Sequence, residues 1–164
     1  TAITATSINP VDANLDRANL ENVKPSNAAL VNASSETLLN VKVLLVEDNL
    51  VNQLVAKELL MSMAAKVTIA ENGQQALDIL AKETFDVVLM DIQMPIMDGL
   101  TAAMEIRKQA CYQDLPIIAM TAHAREEDKE RSLAAGMNLH IAKPVTAQLL
   151  VTNILQALTI KANN

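Results

Sequence analysis

Short apolar runs alternate with longer stretches in which apolar residues recur at helical spacing, and this alternation begins at Val41. Val41-Lys42-Val43-Leu44-Leu45-Val46 is β-branched and almost wholly apolar, as a strand buried on both faces should be. Asn49 or its neighbour caps a helix predicted to reach about Met63, with Val51, Leu54, Val55 and Leu59 on one stripe. Val67-Thr68-Ile69-Ala70 reads as a second strand, followed after Gly73 by a helix with Ala76, Leu77 and Leu80 inward. Asp86-Val87-Val88-Leu89-Met90 is a third strand, and Pro95 and Gly99 punctuate the loop before a helix over about 99 to 109. Pro116-Ile117-Ile118-Ala119-Met120 is a fourth strand, and a charged helix over about 125 to 135 stops at Gly136. A short fifth strand spans Leu139 to Ala142, and a last helix runs from about Thr146 to Leu158. Five such strand-helix units predict an α/β domain with a parallel sheet covered on both faces.

The first 40 residues do not share this pattern. They are rich in Asn, Ala, Ser and Thr, and Pro10 and Pro25 interrupt any long helix. Val11, Leu15 and Ala18 could line one side of a short helical piece, but a helix this short is marginal in water. The expected organisation is a largely disordered linker over 1–40, a folded domain over 41–160 and a tail over 161–164. The chain starts at Thr1 rather than Met, so a segment of a longer protein is expected, with a processed N-terminus as the alternative.

Composition narrows the partners. Phe85 and Tyr112 are the only aromatics, so the core must be aliphatic. A net charge of -6 without a basic run argues against nucleic acid and anionic lipid as ligands. Cys111 is the single cysteine, which excludes an intrachain disulfide and a cysteine-rich metal site. No apolar run approaches the roughly 20 residues that span a bilayer, and the N-terminus lacks a signal-peptide pattern. A reduced, cytoplasmic setting without direct membrane contact fits this balance.

The candidate chemistry lies where the strands end. Ligands of an open parallel sheet bind beyond the carboxyl ends of its strands. The first strand ends in Glu47 and Asp48, the third in Asp91, the fourth in Thr121 and the fifth in Lys143, followed by Pro144. Each has an ordinary reading alone: an acidic pair can be a solvated loop, an Asp a turn residue, a Thr a cap, a Lys-Pro pair a surface turn. Together they suit one reaction. Crowded carboxylates repel unless a cation joins them, and oxygen donors without His or Cys suit Mg²⁺. A carboxylate nucleophile, a metal and a lysine to spread charge make a phosphoryl-transfer site. Asp91 is the nucleophile by its middle position, with Glu47 and Asp48 holding the metal.

Val46-Glu47-Asp48-Asn49, the run from Met90 through Asp91 to Gly99, Met120-Thr121-Ala122 and Ala142-Lys143-Pro144 together resemble the receiver domains of response regulators. The resemblance covers about residues 41 to 160. It implies a doubly wound, flavodoxin-like five-stranded sheet of order 2-1-3-4-5. It implies Asp91 as phosphoacceptor and magnesium on Glu47, Asp48, Asp91 and the carbonyl of Gln93. Thr121 and Lys143 would contact the phosphoryl group as catalytic residues, and the Lys143-Pro144 bond would be cis. Thr121 and His140 would form the conformational switch. The domain would then catalyse its own phosphorylation and dephosphorylation.

Asn49, Asn52-Gln53, Thr121-Ala122-His123-Ala124 and Ala135-Gly136-Met137-Asn138 further resemble receivers fused to hybrid sensor histidine kinases. That branch implies a histidine kinase core in the same polypeptide as phosphodonor, and a parent that is itself a kinase, anchored in some cases in the inner membrane. It implies onward transfer to a histidine phosphotransfer domain. The chain stops after the last predicted helix, where no DNA-binding output domain is expected.

Three positions depart from the family pattern. Ala64 stands where many relatives have Gly, at a cost of about 1 kcal/mol if the residue is left-handed. Leu139 replaces a frequent acid. His140 replaces a frequent Tyr or Phe, and reads either as a ring that turns inward with Thr121 or as a half-exposed strand residue with a satisfied nitrogen. Competing functions are a free-standing single-domain regulator, a phosphate-independent binding module of the same fold, and a nucleotide- or flavin-binding enzyme. The second would lack an acid or the lysine, and the third would need more than three glycines and two aromatics.

Overall fold

The computed structural model describes residues 37–123 and 125–162. Residues 1–36 of the linker expected over 1–40, and the last two residues of the tail, lie outside the described residues. The described chain runs β1 (Lys42–Val46), α1 (Leu50–Ser62), β2 (Lys66–Ala70), α2 (Gly73–Leu80), β3 (Val87–Asp91) and α3 (Gly99–Arg107). A single 3₁₀ turn at Ala110–Tyr112 follows, then β4 (Ile117–Thr121), α4 (Glu126–Ala134), β5 (Leu139–Ala142) and α5 (Ala147–Ala162).

The strands form one parallel sheet of order β2-β1-β3-β4-β5. Alternating side chains divide the core between its two faces, as the period of a strand requires. Val43, Leu45, Val87, Leu89, Ile118 and Met120 pack with Ala56 and Leu60 of α1 and Leu150 and Ile154 of α5. Leu44, Val46, Val88, Met90, Ile117 and Ala119 pack with Ala76 of α2 and Ala102 and Ile106 of α3. Both faces being covered explains why the strands read as continuous apolar runs. The order reverses between β1 and β3, which opens a crevice at their carboxyl ends.

Three features differ from the sequence reading. The stripe Val51, Leu54 and Val55 does not enter the core: these side chains are 69%, 60% and 47% exposed, and Leu59 is only partly buried. The buried face of α1 is Gln53, Ala56 and Leu60. Ala56 and Leu60 pack onto the sheet, and the Gln53 amide turns inward to the Glu47 carbonyl at 2.7 Å. Packing also reaches upstream of Val41. Leu38 is fully buried, and its amide donates to the Met63 carbonyl at 3.0 Å. The last helix is longer than expected, ending at Ala162.

Candidate functional site

The acidic crevice is built by what happens at the end of β1. The amide of Glu47 donates to the Ala70 carbonyl at 3.0 Å, which carries the sheet register one residue past the strand. Asn49 then starts α1 as its N-cap, its Oδ1 accepting from the amides of Val51 at 3.0 Å and Asn52 at 3.1 Å. The turn between strand and helix is thus confined to Glu47 and Asp48. It turns Glu47 into the protein, 2% exposed, and leaves Asp48 exposed.

Asp91 ends β3 on the neighbouring strand and is 5% exposed. Its Oδ1 accepts from the Gln93 amide at 3.2 Å. Behind it, the Gly99 amide donates to the Ile92 carbonyl at 3.0 Å, folding the β3–α3 loop back on the strand end. A Cβ at Gly99 would lie 2.0 Å from the Asp91 carbonyl oxygen, so only glycine fits there. Asp98 caps α3, its carboxylate accepting from the Thr101 amide and hydroxyl, each at 2.9 Å. Those bonds hold its pKa below the ordinary carboxylate range.

Lys143 closes the crevice from the end of β5. Its ammonium donates to Glu47 Oε2 at 2.5 Å and to Asp91 Oδ2 at 2.6 Å. The Lys143 amide donates to the Thr121 carbonyl at 2.7 Å, and the Lys143-Pro144 bond is cis. One oxygen each from Glu47, Asp48 and Asp91 lies within 4.8 Å of the others. The structure therefore brings together four of the predicted site residues, with the backbone of Gln93 beside them.

The electrostatics follow from burial against pairing. Burial raises the pKa of Asp91, and neighbouring Glu47 raises it further; the bonds to Lys143 and the Gln93 amide oppose this without cancelling it. Burial alone would disfavour a charged Lys143, yet its bonds to Asp91 and Glu47 outweigh that and hold its pKa above the ordinary lysine value. The two acids together keep the lysine charged.

The side chains of Thr121 and His140 do not join this hydrogen-bonded cluster. Thr121 ends β4, buried, and its hydroxyl accepts from the His123 amide at 3.2 Å. It borders a cleft of about 390 Å³ shared with Gln93, Asp98 and His123. The ring of His140 faces α4 instead, with Nδ1 3.4 Å from Ser132 Oγ. Its Nε2 is buried without a partner, and burial lowers the ring's pKa. One nitrogen has a neighbour and the other has none, so the reading of a half-exposed strand residue with a satisfied nitrogen holds only in part.

Two supporting residues escaped the sequence reading as chemistry. Asn52 Nδ2 donates to Glu47 Oε1 at 3.0 Å, and buried Gln53 Nε2 donates to the Glu47 carbonyl at 2.7 Å. The pair marked a branch of the family in the sequence. The available signal for contact was spacing, since the third residue of a helix commonly reaches back toward the cap.

A doubly wound parallel sheet with three carboxylates and a lysine at its switch point defines the receiver class of α/β domain. The family model for the response regulator receiver domain matches residues 43–155, and the chain belongs to that family. It is a receiver domain of two-component signalling, homologous to those of hybrid histidine kinases. The signal transduction histidine-protein kinase BarA of Escherichia coli K12 is 39% identical over 121 residues, 74% of this chain. The chain spans 13% of that kinase's length. Among solved structures, the receiver domain of sensor histidine kinase PA1611 from Pseudomonas aeruginosa PAO1, with a magnesium ion coordinated in its active site cleft, is 39% identical. That match has a TM-score of 0.69 and covers 73% of this chain and 98% of the other. The Saccharomyces cerevisiae co-crystal structure of histidine phosphotransfer signaling protein Ypd1 with the receiver domain of Ssk1 matches at 29% identity and TM-score 0.69, covering 76% and 92%. Among the described residues no helix is long and apolar enough to cross a membrane.

Proposed function

We propose that this domain takes a phosphoryl group from a phosphohistidine onto Asp91 and passes it to a histidine of a helical phosphotransfer domain. The observation that carries the reading is the Lys143 ammonium held at 2.5 Å from Glu47 and 2.6 Å from Asp91 in a crevice that holds a third carboxylate. In the forward step Asp91 attacks phosphorus through a carboxylate oxygen. The P–O bond forms as the P–N bond to the donor imidazole breaks, and the imidazole leaves neutral or takes a proton from solvent. Lys143 neutralises charge on the transferring group, and the Thr121 hydroxyl, once released from the His123 amide, donates to a phosphoryl oxygen.

Magnesium fits the donors present. Glu47, Asp48 and Asp91 supply carboxylate oxygens within 4.8 Å of one another, and no His or Cys is among them. Burial, with the Glu47 charge beside it, raises the pKa of Asp91, and a divalent cation at the carboxylates would favour its ionised form. Glu47, Asp48, Asp91 and the Gln93 carbonyl would hold it, and when bound it supplies charge neutralisation for the incoming phosphoryl oxygens.

The partner surface in this reading is α1. Leu50, Val51, Leu54 and Val55 are exposed at the end of the helix that begins beside the acidic pair. A likeness to a receiver crystallised with a phosphotransfer protein supports the same choice of partner. The donor in this reading is a kinase core of the same, hybrid polypeptide, working in the cytoplasm. The test is two-stage. The protein is phosphorylated with a small acyl phosphate and Mg²⁺, then mixed with phosphotransfer domains. Labelling should vanish in excess chelator, and Leu54→Glu should leave labelling intact while slowing onward transfer at least tenfold. Labelling in chelator, or transfer indifferent to Leu54→Glu, would overturn the corresponding half.

A further inference from the structure

The geometry points to Asn52 as a positioning residue that orients the Glu47 carboxylate for the metal. This inference rests on the reading of Glu47 as a magnesium ligand.

Asn52 occupies the third position of α1, counted from the Asn49 cap. In the usual arrangement a side chain there reaches back to the amide of the cap itself. Here the reach is diverted. The Asn52 amide nitrogen donates to Glu47 Oε1 at 3.0 Å, five residues back. The cap in turn fixes the Asn52 peptide, because Asn49 Oδ1 accepts from the Asn52 amide at 3.1 Å. The Asn49 amide adds a longer bond, 3.3 Å, to the same Glu47 oxygen.

Glu47 is thereby divided. Oε1 faces α1 and its two nitrogen donors, while Oε2 faces Lys143 at 2.5 Å. The carboxylate cannot rotate about its last bond without breaking contacts on both sides. Its main chain is pinned as well, by Gln53 Nε2 on the Glu47 carbonyl at 2.7 Å. A glutamate is long and loses much rotamer freedom on being fixed, so a clamp already paid in folding leaves less to lose on metal binding.

Helix propensity makes the same point from the other side. Asn52 is exposed, and asparagine is a poor helix former where alanine would be best. Its side chain contributes nothing to the core. The contact it makes is to a carboxylate of the crevice, which is what distinguishes it from the exposed residues around it.

The experiment is Asn52→Ala in the full chain, titrated with magnesium chloride and followed by the amide resonances of Asp91 and Gln93. Melting without metal is measured alongside. The expected result is a magnesium dissociation constant at least threefold weaker, tenfold being common for supporting partners of this kind, with the metal-free melting temperature unchanged or higher. An affinity within twofold of the parent protein overturns the inference. So does a fall in metal-free melting temperature, which makes Asn52 a structural residue. If the parent protein itself binds no magnesium, the metal reading of the crevice fails instead, and the two failures are told apart by that control.

Discussion

Asp91 and Lys143 show what a buried ion pair costs when the charges do not balance. Asp91 has a folded pKa raised above its unfolded value, mainly by burial. The folded state therefore holds the proton more tightly, and stability is lost as pH rises from the ordinary carboxylate range through the raised value. Lys143 is also raised, and its contribution is full below the ordinary lysine pKa and is lost as pH climbs through the raised one. Asp91→Asn removes the charge that folding disfavours. Without metal at neutral pH it should stabilise the domain on the order of 1 kcal/mol, a few degrees in melting temperature. That advantage should shrink as pH falls into the window where Asp91 is protonated. Melting curves of both proteins in chelator across acid to neutral pH would report it, and an advantage that grows toward acid would contradict the assignment.

Ala64 offers a second test at single-residue scale. It follows α1 with φ 63°, a left-handed conformation that penalises any residue with a Cβ. Its amide donates to the Met61 carbonyl at 3.0 Å, closing the helix. Ala64→Gly should therefore raise stability by about 0.5 to 1 kcal/mol, less the entropy glycine adds to the unfolded chain. Urea denaturation would show it as a higher midpoint at an unchanged slope.

At the scale of elements, the strand ends were legible, and so was the inward face of α2 with Ala76 and Leu80; the inward face of α1 was not. Both sheet faces are covered, so the middles of β1, β3 and β4 are wholly apolar, and the polar residue that follows each run marks where the strand ends. That is why Glu47, Asp91, Thr121 and Lys143 could be read as one crevice from their places after apolar runs. A helix carries no such mark. On α1 Val51, Leu54 and Val55 point out, while Gln53, Ala56 and Leu60 point in. Apolar spacing alone reports a stripe without saying which stripe is core. Asn52 was visible only as part of a motif, since a side-chain bond across a cap depends on the rotamer and leaves no trace in hydropathy. Gly99 joins the two scales. It begins α3 and lies against the Asp91 carbonyl, with 2.0 Å left for a Cβ. Gly99→Ala should cost about 1 to 3 kcal/mol and displace Asp91 as well. Denaturation and labelling should fall together; a labelled, fully stable variant would refute the close approach.

At the scale of the whole molecule, one sheet order does most of the functional work. Reversal between β1 and β3 puts the acidic pair beside Asp91, and β5 at the far edge returns Lys143 over both through its ammonium. The resulting crevice lies at the start of α1, whose exposed apolar side chains are the docking surface in the proposed transfer. In that proposal, chemistry and docking surface share one end of the domain.

Everything in this account turns on Asp91 being the acceptor. The most direct measurement is intact mass spectrometry after incubation with a small acyl phosphate and Mg²⁺, on the parent protein and on Asp91→Asn. The account predicts a single added phosphoryl group on the parent protein, labile to hydroxylamine as an acyl phosphate is, and none on the variant. A phosphoryl group that persists at full level on Asp91→Asn would contradict it.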